Sequence, residues 1–203
     1  MKAQIPLIYA VRHGLTEWNV EGRLQGARDI PLNTTGRRQA ESCGHTLKAH
    51  AGQSIGSFDF VASPLLRTRQ TMELLRGAMG LDVKNYSTDV RLIELSFGDW
   101  EGRTLEEVAA VAPDKVKTRA ANKWDFQPPG KHAESYEILS WRVAAWLNEV
   151  NRPTVCVCHG GIMRVILHLI AGMPAQEAAE FSIPQDKILK VAGSRLDWIS
   201  ETG

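Results

Sequence analysis

With 203 residues, 43% of them hydrophobic and 23% charged, the chain is long enough to bury most of the surface it would expose unfolded. It is also short enough that one domain spanning residues 1–203 is expected. A formal net charge of +1, a pI near 7.8 and no like-charge run beyond Arg37-Arg38 and Glu106-Glu107 argue against a nucleic-acid or anionic-membrane surface, so any anion must be met locally.

Taken in chain order, Lys2 precedes a short apolar segment that has no small-residue cleavage site, so no secretory signal is expected. Residues 5–11, IPLIYAV, are continuously apolar, which predicts a strand covered on both faces. A polar-rich helix is predicted over residues 35–50, after the turn-forming PLNTTG. Residues 58–62, FDFVA, read as a second buried strand, followed by a helix over 64–79 with Leu65, Thr68, Met72 and Leu75 on one face and Pro64 in its first turn.

Weaker strand signals lie at 82–88, 187–192 and 195–199. Thr104 and Glu107 have the spacing of a capping box, and Pro113 restarts another helix. Residues 135–150 carry the clearest helical stripe, Leu139, Val143, Trp146, Leu147 and Val150, and TVCVC over 154–158 reads as a third buried strand. Strands alternating with helices predict a three-layer α/β/α sandwich with a mostly parallel central sheet.

Cys43, Cys156 and Cys158 give neither a disulfide framework nor a zinc-finger spacing, and are expected to be reduced and packed. The most apolar stretch, 165–173, is broken by His168 and falls far short of the ~20 residues of a membrane helix. A cytoplasmic protein is therefore expected. Trp141 and Trp198 are candidate exposed positions for a homodimer interface.

Open parallel sheets bind ligands beyond the carboxyl ends of their strands. Arg12 and His13 follow the first strand, Ser63 and Arg67 the second, and His159, Gly160 and Gly161 the third. Glu94 sits in the apolar segment RLIELSFGDWEG before a glycine-rich turn. Singly, each has an ordinary structural reading; meeting at one sheet edge, they make a site hypothesis. His13, His159 and a carboxylate could hold zinc or iron, but neighbouring arginines repel a cation and attract an anion, so no metal is expected. Two guanidiniums and a helix N-terminus after His159 suit a phosphate instead.

Five blocks then resemble the histidine phosphatase (phosphoglycerate mutase-like) superfamily: RHGLTEWN (12–19), GRLQGARDIPLNTTGRRQA (22–40), SPLLRTRQT (63–71), LIELSFGDWEG (92–102) and CHGGIMR (158–164). The resemblance implies the superfamily's fold and chemistry. His13 resembles the nucleophile that becomes a phosphohistidine, and Arg12, Arg67 and His159 the rest of the phosphate pocket, with Asn19 and the Gly160 N–H as further donors. Glu94 resembles the general acid, and Gln25 and Gly26 fall at the substrate entrance. Gly14 is expected to let the chain turn close to the ligand.

No cofactor is implied, and the implied partner is a small phosphorylated metabolite. The implied activity is a metal-independent phosphatase, with a phosphoglycerate mutase as the alternative. A binding module without chemistry is the third reading, and it would need neither His13 nor Glu94. About thirty residues separate Gly102 from Glu134, less than mutases of this family tend to carry, which favours the phosphatase. Where phosphatase members commonly read PPGGES, this chain reads PPGKHAES. Lys131 and His132 would then meet a second acidic group of the substrate, or lie on a solvated loop.

Overall fold

A computed structural model describes residues 5–200, so Lys2 lies outside the described residues. Strand β1, Ile8–Arg12, begins later than the apolar run predicts. Pro6 has no N–H to give to a ladder, and pairing starts two residues beyond it. A short helix α1, Glu17–Val20, is closed by a capping box between Thr16 and Asn19. Helix α2, Thr34–Ala51, is capped by Asn33, whose side chain accepts from the Gly36 N–H at 2.8 Å.

After β2, Asp59–Ala62, helix α3 spans Leu66–Met79. Pro64 was expected in its first turn but lies outside it. Leu65 offers no side-chain cap, and Asp29 supplies one from a distant loop, accepting from the Leu66 N–H. The signal over 82–88 reduces to the two-residue β3, Ser87–Thr88, because Asp82, Lys84 and Asn85 are tied into a turn.

Helix α4, Leu105–Val111, opens with the predicted Thr104/Glu107 capping box, and α5, Pro113–Ala121, has its proline at the first position. Helix α6, Tyr136–Glu149, buries Leu139, Val143, Trp146 and Leu147 of the predicted stripe. Strand β4, Thr154–Cys158, is buried throughout and leads into α7, Gly160–Ala171, and α8, Ala175–Glu180. Strands β5, Ile188–Ala192, and β6, Arg195–Ile199, form an antiparallel hairpin.

The six strands lie in the order β3-β2-β4-β1-β5-β6. The first four are mutually parallel, and β5 runs antiparallel to β1. Alternation in each strand feeds two cores, as the pleat requires. Ile8, Ala10, Cys156, Cys158, Leu189 and Val191 pack with α6, α7 and α8, whereas Tyr9, Val11, Val155, Val157, Phe60 and Ala62 pack with α2 and α3. The predicted three layers are thus present.

All three cysteines are buried and none is in a disulfide. No helix among the described residues is long and apolar enough to cross a membrane. Trp141 is 64% exposed, but Trp198 is partly buried, stacked on Phe181 and packed against the core, so it is withdrawn from the expected surface.

The φ of Gly14 is not positive, so no left-handed turn requires a glycine there. A Cβ there would lie 2.2 Å from the Gly36 carbonyl oxygen, and one on Gly36 would lie 2.1 Å from that of Leu15. Two backbones touch at this point. The contact presses α2 against the loop that carries His13.

Candidate active site

Register places the site. Arg12 pairs with Cys158, and Val11 and Ala62 both align with Val157, so the residues after β1, β2 and β4 emerge at the same sheet edge. His13 is 3% exposed, and its backbone N–H donates to the Cys158 carbonyl at 3.0 Å. Its Nδ1 lies 2.8 Å from the Gly14 carbonyl oxygen, which can only accept. Nδ1 therefore carries the proton, and Nε2 keeps its lone pair.

Burial, then Arg67, then Arg12, hold the His13 pKa well below its ordinary value of about 6.5. The ring is neutral at physiological pH, the form able to attack an electrophile.

The His159 ring stands edge-on to His13, with centroids 5.1 Å apart. It is fully buried at the N-cap of α7, with Nε2 2.8 Å from the Ser63 hydroxyl and Nδ1 without a partner. When Ser63 donates to Nε2, Nδ1 carries the proton and becomes a donor. Burial, Arg67 and His13 also push its pKa well down.

Arg67, at the start of α3, is fully buried. Its terminal nitrogens donate to the carbonyls of Arg28, at 2.7 Å, and Gly26, at 2.9 Å. Burial brings the guanidinium down to about 10, so it stays cationic at neutral pH. Gly26 thus orients a cation through its carbonyl; its φ of 52° and its contact with Glu101 admit no side chain. Arg12 donates one terminal nitrogen to the Ile183 carbonyl at 2.5 Å.

Among the described residues, three buried nitrogens have no hydrogen-bond partner: Nε of Arg12, Nε of Arg67 and Nδ1 of His159. Each unmade bond costs about 1–3 kcal/mol, and three converging around one imidazole are met together by an oxyanion. The Gly160 N–H, in the first turn of α7, is a fourth donor free of intrahelical pairing. Among the described residues no three His, Cys, Asp or Glu side chains group as metal ligands would.

Glu94 reaches the site from the segment between β3 and α4. Its two oxygens lie 3.1 and 3.2 Å from the Gly161 N–H, and one accepts from the Leu95 N–H at 2.9 Å. The Asn19 Oδ1 accepts from the Thr16 N–H and hydroxyl and from Gln185, which leaves its NH2 as the donor end. Gln25 is buried with Oε1 unpartnered. Lys131 and His132 are exposed and make no side-chain hydrogen bond among the described residues.

Supporting groups escaped the sequence reading. Gln185 donates to the His13 carbonyl at 3.0 Å. Arg142 pairs with Glu134 at 2.9 Å and donates to the carbonyls of Arg91 and Glu94, which fixes the segment that carries Glu94. Glu101 ties the loop at Ala27 to Ser96 and Phe97.

The family model described as the histidine phosphatase superfamily (branch 1) matches residues 8–200. This chain belongs to that superfamily. Over 199 residues it is 31% identical to Probable phosphoglycerate mutase GpmB of Salmonella paratyphi C, covering 95% of this chain and 87% of that protein. A phosphoserine phosphatase variant from Entamoeba histolytica, solved in complex with phosphoserine, superposes with a TM-score of 0.73 at 26% identity, covering 92% of this chain and 90% of the other. The alpha-ribazole phosphatase of Shigella flexneri shares the fold, with a TM-score of 0.73 at 24% identity and coverage of 91% and 89%. The proteins it is similar to thus carry the names of a phosphatase and of a probable mutase.

Two neutral buried histidines carry a stability consequence. In the unfolded chain each titrates near its ordinary value of about 6.5, while in the fold both stay deprotonated well below it. Above that value both states are neutral and nothing is gained or lost. As pH falls below it, the unfolded chain takes up protons that the fold refuses. Stability should therefore drop, by up to about 1.4 kcal/mol per pH unit for each histidine. Urea unfolding between pH 7 and 5.5 measures the slope, which should shrink in a His13→Asn/His159→Gln double variant; an unchanged slope would contradict it.

Proposed function

We propose that the protein is a metal-independent phosphomonoesterase acting on a small phosphorylated metabolite through a phosphohistidine on His13. The observation that carries this reading is the set of three unpartnered donors around an imidazole held as its Nδ1–H tautomer. Arg12, Arg67, His159, the Gly160 N–H and the Asn19 NH2 hold the phosphoryl oxygens. His13 Nε2 forms the P–N bond as the P–O bond breaks, and Glu94 gives its proton to the departing alkoxide. The Gly14 carbonyl, accepting from Nδ1–H, stabilises the positive charge that builds on the ring.

The carboxylate of Glu94 then takes a proton from water, whose oxygen attacks phosphorus as His13 departs neutral. Phosphoryl transfer is mostly positioning and charge stabilisation, which fixed cations and N–H groups supply. Gln25 Oε1 accepts from a substrate hydroxyl, beside Gly26 at the entrance. The same reading makes the chain one cytoplasmic domain that needs no cofactor, in keeping with three thiols outside any disulfide.

The name of the Salmonella relative favours a second reading, phosphoglycerate mutase, in which the phosphoryl group returns to an organic hydroxyl. The short α4 and α5 leave little sequence to seal a phosphoenzyme from water, and support the hydrolase. A panel of phosphorylated metabolites that includes 2- and 3-phosphoglycerate, assayed in EDTA for free phosphate and for isomerised product, decides. Phosphate release is expected. Isomerisation alone would give the mutase, and neither product would sink both readings.

A further inference from the structure

At the end of the sheet opposite His13, a cleft of about 480 Å3 opens beside the start of β2 and the edge strand β3. It is lined by the rings of Phe58, Phe60 and Tyr86, by Arg76 and by the exposed Asn85. None of these residues belongs to the phosphate pocket. Arg76 follows Arg67 by nine residues on α3, which is about 13 Å along the helix axis.

Arg76 is 4% exposed, with its guanidinium carbon 4.2 Å from the centre of the Phe60 ring. Its Nε donates to the Asp82 carbonyl at 2.7 Å. Among the described residues its two terminal nitrogens have no hydrogen-bond partner and the side chain has no ion pair. Those nitrogens are not sealed off; they open on the cleft. The Asp82 carboxylate, the one acid whose charge bears on Arg76, is turned to the Lys84 N–H. Asp59, in the cleft wall, is matched by Arg152 at 3.1 Å, and Glu73, bonded to the Tyr86 hydroxyl, by Lys84 at 2.7 Å. One buried positive charge is thus left uncompensated beside open space, which costs free energy until an anion meets it.

We propose that this cleft is a second ligand site that takes a small aromatic carboxylate, with both carboxylate oxygens on the terminal nitrogens of Arg76. With Nε engaged, the two terminal nitrogens form a planar fork that a carboxylate meets edge-on. A single unmatched cation balances one negative charge, which fits a carboxylate and not a phosphate dianion. The walls are aromatic and fixed: Phe58 is stacked on Tyr9 with ring centroids 6.0 Å apart, and the Tyr86 hydroxyl donates to Glu73 at 3.0 Å. Small-molecule pockets run from about 300 to 1,000 Å3, so the space suits one such ligand. Its occupation needs nothing of the chemistry proposed at His13.

The test is a 1H–15N NMR titration of the full chain with benzoate, set beside benzyl alcohol, acetate and phenylphosphonate. Benzoate should shift the amides of Phe60, Tyr86 and Ser87 and the Nε–H of Arg76 in one saturable phase. It should bind at least about tenfold more tightly than benzyl alcohol, the scale of a charge-assisted pair. Acetate, which lacks the ring, should bind more weakly than benzoate. Arg76→Gln should weaken benzoate roughly tenfold, with Arg76→Lys in between because it keeps the charge and loses the fork. Shifts confined to residues around His13 and Gly160, or benzoate no tighter than benzyl alcohol, would overturn the site. Tighter binding of phenylphosphonate at the same amides would overturn the carboxylate assignment. These wild-type readings decide the matter even where a variant does not fold; a folded Arg76→Gln that binds benzoate like wild type would also end the proposal.

Discussion

His13→Asn is expected to lower kcat/KM for a phosphomonoester by about 10,000-fold or more, the scale on which losing a covalent nucleophile acts. Asparagine places an amide NH2 where Nδ1–H now donates to the Gly14 carbonyl, and deletes only the attacking nitrogen. The three unpartnered donors stay where they are. Inorganic phosphate should therefore bind the variant within a few-fold of wild type, while the acid-labile, base-stable phosphoenzyme expected of wild type should be absent. A loss below tenfold, or a phosphoenzyme that persists, would show that His13 is not the atom that takes the phosphoryl group. A wild-type protein that binds phosphate yet forms no phosphoenzyme would make this a binding module.

The second large effect depends on the leaving group. Glu94→Gln keeps an oxygen to accept from the Gly161 N–H but has no proton to transfer to an alkoxide. For an alkyl phosphate kcat should fall about 100- to 10,000-fold. A p-nitrophenolate departs without help, so for that ester formation of the phosphoenzyme should change little. Its hydrolysis should slow, because the same carboxylate activates water, and a burst with accumulating phosphohistidine should appear. Gly161→Ala offers a steric version: its Cβ would sit 2.3 Å from Glu94 Oε1, which must swing away. That variant should fold normally and show the same leaving-group dependence at smaller amplitude. Equal losses for both esters would mean that Glu94 positions the substrate and protonates nothing.

The parts of this protein that sequence reveals are those with a local cause. Apolar runs without alternation mark strands covered on both faces, and the ends of three such strands carry Arg12, His13, Ser63 and His159 to one edge. Capping at Thr104 and Ser135 is written within a few residues, and both helices begin there. Asp29 capping α3 from across the fold has no local trace, so the predicted helix started too early. A glycine after a strand end suggests a turn, whereas the feature that bars a side chain at Gly14 is the backbone of Gly36, brought up against it only by packing.

The same limit governs the site's supports. Gln185 to His13, and Arg142 to Glu134 and Glu94, join residues that no periodicity connects.

Placing the first strand in the middle of the sheet has a consequence for how the protein comes off the ribosome. His13 is translated early, yet the carbonyl that holds its N–H belongs to Cys158, and the side chain that holds its carbonyl lies 172 residues downstream, at Gln185. At typical elongation rates of about 5–20 residues per second, roughly ten to thirty seconds pass between making His13 and making its last support. During that interval β1 lacks β4 until Cys158 has been made, and it lacks β5 throughout. The backbone of His13 is therefore held on both sides only once nearly the whole chain has been made, just ahead of the closing hairpin.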